Sequence, residues 1–342
     1  MQTTTPDPVP LPALDVRGLA RRAAVPGALA ALAAGALMVA AGPVQAFAHA
    51  LHRALAADPR WVVAAACFEL LSFVGYVALL WLVAGRATRR IDARRAVEVT
   101  LGGAAATRLL PTAGAGGAAL TLWALRRTGM GGREAARTLL TFLVLLYAVF
   151  LGAIATSGSA IALGVSEARG PATLSALPAA AATLAMVVAL ALGVRRPAGG
   201  AGRVRRAAAL LGDATAEALA FLRAPDPRLL GAIAWWLFDA AVLYAMLSAF
   251  GAPPALAVVV LAYFVGQVGN TLPVPGAVSG GIVGVLLAFG VAPDLAVVSV
   301  LAYRAIAIWV PAPIGLLALS SLRRTLARWA GEDTVLRVPS AL

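Results

Sequence analysis

The chain has 342 residues, of which 61% are hydrophobic and only 13% charged, and its mean hydropathy is +0.88. No soluble domain can hide that much apolar surface from water, so the composition excludes one and demands an integral membrane protein. The net charge is +13, carried without a single lysine, and the arginines cluster in short loops between apolar runs, which argues for the positive-inside bias and against a nucleic-acid partner.

Met1 to Pro26 is polar and proline-rich and is expected to be a disordered cytoplasmic N-terminus. The apolar run from Gly27 to about Ala48 reads as a first span. The stretch QAFAHA at its end resembles a signal-peptidase site, but the run is too long for the core of a signal peptide. Trp61 to Ala84 is a second span, and Arg86, Arg89, Arg90, Arg94 and Arg95 mark its end as cytoplasmic. The next apolar run, Ala96 to Leu125, is broken at its centre by TRLLPTAGAGG, Thr107 to Gly117. Arg126, Arg127, Arg133 and Arg137 follow it, so both of its ends face the cytoplasm.

Thr138 to Leu163 crosses outward, the loop with Glu167 and Arg169 is external, and Leu174 to Val194 returns to Arg195, Arg196, Arg203, Arg205 and Arg206. Between Arg203 and Arg223, apolar Val204, Leu211, Ala218 and Leu222 recur near helical spacing. That segment is either an interfacial amphipathic helix or a solvated linker. Leu229 to Phe250 crosses outward again. A second broken run, Ala255 to Val291, contains NTLPVPGAVSGG (Asn270 to Gly281) and has no basic residue at either end. Asp294 to Leu319 then returns to Arg323, Arg324 and Arg328.

A spanning helix needs about 20 apolar residues. Each broken run is too long for one span, too short for two, and interrupted at its middle by Pro and Gly. Each therefore reads as two half-helices in a re-entrant hairpin, with a double crossing as the alternative; either leaves both termini cytoplasmic. The expected architecture is an all-α integral membrane protein with about six full spans, two re-entrant Pro/Gly-broken hairpins and an inverted-topology repeat. Repeat one is 61–163, the cytoplasmic linker 195–228 and repeat two 229–319, within a single transmembrane domain 27–322 followed by a cytoplasmic tail 323–342. A gapless alignment of the halves puts Pro111 on Pro273, Gly114 on Gly276 and Arg108 on Asn270.

Paired interrupted segments are the best sequence pointer to a transporter's binding site. Non-helical backbone at membrane depth must be buried in protein or face a water-filled cavity. Each tip feeds a new half-helix, near Gly114 and Gly117 or near Gly276, whose first amide groups lack internal partners and carry partial positive charge. Two such ends suit a phosphate, and glycine lets it approach closely. Ionisable residues inside spans are costly unless paired or hydrated. Glu69, Arg108, Asp239 and Arg304 are the candidates, with Asp239–Arg304 and Glu69–Arg108 as expected pairs. These pairs are either internal struts or a site in which the two arginines hold a lipid phosphate. Thr107, Gln267, Asn270 and Tyr303 can add neutral hydrogen bonds, Gln267 and Asn270 from one helical face.

No catalytic constellation, metal motif or cofactor fingerprint stands out; His49 and His52 are the only histidines and Cys67 the only cysteine. The expected protein is therefore not an enzyme and carries no cofactor or metal.

The second hairpin and last span read LAYFVGQVGNTLPVPGAVSGGIVGVLLAFGV and VLAYRAIAIWVPAPIGLLAL. Through Pro273, Pro275, Gly276, Tyr303, Arg304, Trp309, Pro311 and Gly315 they resemble the lysylphosphatidylglycerol synthase transmembrane-region family, also called the flippase-like domain family. Leu110, Pro111, Gly117, Arg126, Arg127 and Gly129 are similar to its first motif. A glutamate that members commonly carry after the second Pro-Gly stretch is replaced here by Gly280, Gly281 and Ile282. The resemblance implies a bacterial inner-membrane domain that moves or accommodates phospholipid. In aminoacyl-lipid synthases this domain accompanies a soluble aminoacyltransferase; no segment here reads as one, so lysyl transfer is not expected. The expected function is translocation or scrambling of a phospholipid or lipid-linked anion, its head group at the hairpin tips. The alternative is a non-catalytic subunit presenting lipid to a separate synthase or glycosyltransferase. Membrane phospholipid is the expected partner, with a transferase or synthase subunit and a homodimer left open.

Overall fold

A computed structural model describes residues 57–109, 115–168, 170–197, 202–224, 226–272, 274, 276–318, 320–322 and 324–325, with backbone alone for 105–109 and 115. The expected first span, the N-terminal segment, Pro111, Gly114, Pro273, Pro275 and most of the tail lie outside the described residues, as do the side chains of Thr107 and Arg108.

All regular structure among the described residues is helical: α1 Pro59–Ala87, α2 Ala93–Leu109, α3 Ala115–Arg127, α4 Gly132–Ala162, α5 Ala172–Arg195, α6 Arg203–Arg223, α7 Leu230–Phe250, α8 Leu256–Gln267, α9 Ala277–Ala288 and α10 Pro293–Trp309, with 3-10 turns at Pro227–Leu229 and Val268–Thr271. Local chemistry sets several starts. Asp58 caps α1, accepting from the Arg60 amide at 2.9 Å, with Pro59 as first helical residue. Asp226 caps the 3-10 turn before α7 in the same way, and Pro293 opens α10.

Among the described residues five helical stretches are long and apolar enough to cross a membrane: Pro59–Ala87, Gly132–Ala162, Ala172–Arg195, Pro227–Phe250 and Pro293–Leu322. They coincide with five expected spans. By contrast α8 and α9 have 12 residues each. At about 1.5 Å per residue each reaches only about 18 Å, well short of a hydrocarbon core of about 30 Å.

The centre of the molecule is the contact between α1 and α7. Trp61 packs on Tyr244, Phe68 stacks on Phe238, and Gly75 meets Gly231. Partner numbers fall as α1 residue numbers rise, so the two helices run antiparallel. A Cβ on Gly75 would lie 2.7 Å from the Gly231 carbonyl oxygen, and one on Gly231 would strike the Gly75 oxygen. Both positions need glycine because backbone touches backbone there, the usual device for close crossing in membranes.

The hairpins use the same device. In the second, Gly266 lies against Ile282 and Gly269 against Ala277, so α8 and α9 are antiparallel. A Cβ on Gly281 would come 3.0 Å from Gly266 Cα, and one on Gly103 would come 3.4 Å from Gly117 Cα in the first hairpin. The outer helix of each half then packs on the first hairpin helix of the other: Phe150 of α4 on Phe264 of α8, and Ala318, beyond α10, in one cluster with Leu101 of α2.

The 203–223 segment is a helix, but not a solvated linker. Its buried face is Ala209, Gly212, Thr215, Ala218 and Phe221, set against α4 and α5, with Gly212 close to Leu192 and Gly193 close to Thr215. Arg133–Asp213 (3.4 Å) and Arg137–Glu217 (3.2 Å) fasten it. Of the four residues in the apolar stripe, Ala218 is buried while Val204 and Leu222 stand exposed, because small residues let the backbone dock on a neighbouring face.

Candidate functional site

A polar strip runs through the second half of the molecule. Asp239, near the middle of α7, is buried. Tyr263 of α8 donates to Asp239 Oδ2 at 2.6 Å and sets its ring edge-on to Tyr303 of α10, centroids 6.1 Å apart. Gln267, at the end of α8, donates from Nε2 to the Tyr303 hydroxyl at 2.9 Å. Asn270 Nδ2 donates to Gln267 Oε1 at 2.7 Å. Asp239, Tyr263, Gln267 and Tyr303 are all buried, whereas Asn270 and its neighbours Thr271 and Leu272 are exposed. The strip therefore connects a carboxylate in the core to the tip of the second hairpin. A buried polar chain of this kind is stable inside apolar helices only if its members are hydrogen-bonded.

At the tip, Gly276 sits immediately before α9 with φ +81°, a left-handed conformation open to glycine. Among the described residues no side-chain oxygen caps α9, and the Ala277 amide donates to the Val274 carbonyl at 3.1 Å. A Cβ at Gly276 or Gly280 would meet nothing within 4 Å, so the approach to this helix start is open. The amides of the first turn present the positive end of the helix dipole. Such a start has the chemistry to receive an anion.

Arg304 follows Tyr303 on α10 and is only half-buried. Asp239, expected to pair with Arg304, takes the Tyr263 hydroxyl. Consecutive residues on a helix point about 100° apart, so Tyr303 and Arg304 serve different faces. Glu69 of α1 is fully buried. Its neighbour Phe68 stacks on Phe238, the neighbour of Asp239, so the two carboxylates lie at one level of the α1–α7 contact. Gly117, in the first turn of α3, lies against Gly103, and its carbonyl accepts from Thr121 at 2.8 Å.

Thus Asp239, Gln267, Asn270 and Tyr303 come together, with Gly276 at the same tip. The sequence reading missed Tyr263, which holds Asp239. Its signal was present: Tyr263 stands four residues before Gln267, on the same helical face. The reading also missed Glu98 of α2, a buried carboxylate that accepts from Arg95, Ser321 and Thr325. Among the described residues no group of three or more His, Cys, Asp or Glu side chains comes together to hold a metal.

A family model described as the lysylphosphatidylglycerol synthase TM region matches residues 25–315. No curated protein matches the chain.

Proposed function

The chain belongs to the lysylphosphatidylglycerol synthase transmembrane-region family, and from that premise we propose that it translocates or scrambles a phospholipid or lipid-linked anion in a bacterial inner membrane. The head group rests at the tips of two hairpins that re-enter the membrane from opposite sides, while the acyl tails stay in the bilayer. Arg108 and Arg304 supply charge for the phosphate, and the glycine-flanked helix starts at Gly114–Gly117 and Gly276 supply amides. In the sequence Pro111, Pro273 and Pro275, which cannot continue a helix, stand between the two halves of each broken run. We read both termini as cytoplasmic, because the arginines gather in the loops on that side.

One observation carries this reading. A polar strip joins buried Asp239 to the exposed tip of the second hairpin, in a protein whose surroundings are otherwise lipid. A purely structural helix packing has no need to bring carboxylate, amide and hydroxyl groups toward a helix start that carries no side-chain cap. The short α8 and α9, packed back on each other through Gly266 and Gly281, support the re-entrant form. Movement then follows from rocking one half against the other around the tips.

The test is reconstitution into vesicles with fluorescent anionic, zwitterionic and cationic lipids. Protein-dependent transfer between leaflets, fastest for the anionic probe, is the expected result. Transfer no faster than in protein-free vesicles, for all three probes, would refute the reading.

A further inference from the structure

Glu98 is almost fully buried on α2, the first helix of the first hairpin, yet two of the groups that hold it, Ser321 and Thr325, lie far away in sequence. Ser321 Oγ donates to Glu98 Oε1 at 2.7 Å, and Thr325 Oγ1 donates to Oε2 at 3.0 Å. Arg95 Nη1 reaches both carboxylate oxygens at 3.1 Å and also the Thr325 hydroxyl at 2.8 Å. Arg94 adds a looser contact at 3.6 Å. Beside this knot Phe73, Leu101 and Ala318 form a small apolar cluster of their own, separate from the main core. The whole contact sits where the hairpin leaves the arginine-rich end of the molecule.

Among the described residues the second half shows no matching carboxylate knot. The alignment that places Gly114 on Gly276 places Glu98 on Val260, and the corresponding seam there is closed by Phe150 and Phe264. One hairpin is thus fastened to its neighbour by apolar packing, the other by a single carboxylate that accepts from three side chains, Arg95, Ser321 and Thr325. Apolar contacts between membrane helices hold at all positions of a sliding seam. Charge-assisted hydrogen bonds are made or broken as a set, which suits a two-state element.

We propose that Glu98, Arg95, Ser321 and Thr325 form a latch that closes the arginine-rich end of the first hairpin, and that its release is the step admitting the head group from that leaflet. The proposal rests on the lipid-movement reading. With the latch shut, the C-terminal end of the last span is tied to α2 and the seam at Leu101 is sealed. With it open, α2 and the last span part, and the freed Arg95 lines the opening where an anionic head group arrives.

The chain's one cysteine, Cys67, is exposed, so a Cys67→Ala background leaves a clean reporter. In it, Leu101→Cys is labelled with a membrane-impermeant maleimide. Labelling is expected to be slow with the latch intact and about tenfold faster with Glu98→Gln or Ser321→Ala, the factor that loss of a charge-assisted hydrogen bond implies. In a second arm, Glu98→Cys and Ser321→Cys are bridged by a short bifunctional thiosulfonate in vesicles. Lipid movement should stop on bridging and return on reduction. Equal labelling rates in wild-type-latch, Glu98→Gln and Ser321→Ala proteins, or undiminished movement when bridged, would overturn the latch. If the unbridged protein moves no lipid at all, the functional reading fails instead, and the labelling arm still reads the latch.

Discussion

The Tyr263 hydroxyl donates a hydrogen bond to Asp239 Oδ2 across 2.6 Å, and that bond ties the second hairpin to the central helix pair. Removing the hydroxyl leaves a buried carboxylate short of a donor. Tyr263→Phe is therefore expected to lower stability by about 1–2 kcal/mol, the upper part of the range for interhelical hydrogen bonds in membranes. Asp239→Asn keeps an acceptor for the same donor and should cost less. Thermal melts of the purified proteins in detergent read the difference. A Tyr263→Phe melt equal to wild type would show that the bond contributes nothing.

Gly75 and Gly231 are expected to be the least replaceable glycines. Valine at either drives Cβ into the facing backbone, which cannot yield without separating α1 from α7. Overpacking of this kind costs about 1–3 kcal/mol or more. Gly152 is the control: it lies inside α4, and a Cβ there meets nothing within 4 Å. Gly152→Ala should raise stability by about 0.5–1 kcal/mol, as alanine does in a helix interior. Yields of monodisperse protein and melting temperatures would check both directions.

Much of this architecture could be read from the chain because hydropathy and arginine position are properties of single segments. Five spans and both broken runs follow from them. What could not be read depends on which faces meet. The 203–223 helix was legible as a helix, but its docked face is made of Ala209, Gly212 and Thr215 rather than its bulkier apolar residues. Small residues carry little periodic signal, although they decide how close two backbones come. Asp239 was found because a carboxylate in an apolar run is conspicuous. Its Tyr263 donor was overlooked because opposite charge suggests pairing, while Tyr263 is an ordinary core residue by composition. Glu98 was overlooked since it stands near arginines, where a carboxylate looks like surface charge.

Hairpin closure should be separable from overall stability. Leucine at Gly103 or Gly266 wedges α2 from α3 or α8 from α9, and for Gly266 the wedge falls on Ile282. Each variant is expected to lose lipid movement while keeping the central α1–α7 contact, and so to stay folded and monodisperse. Movement at wild-type rate in both would argue that the tips need not be held in place.

The start of α7 gives a pH signature outside the spans. Side-chain and backbone hydrogen bonds from Arg228 hold the Asp226 carboxyl down at about 2, with the charges of Arg228 and Arg86 adding to them. Its folded-state value lies below its ordinary 3.8, so the contact stabilises the protein above that pH and is lost as pH falls toward about 2. Asp226→Ala should therefore lower the melting temperature at neutral pH, with the gap to wild type closing in acid. A gap that widens on acidification would reverse the sign.

The most direct measurement is the rate at which an anionic lipid probe changes leaflet in vesicles containing Arg304→Ala or Arg108→Ala protein. With the head group's phosphate held at the hairpin tips, each variant should slow by about tenfold or more, the cost of one lost charge-assisted contact. Wild-type rates in both variants would contradict it.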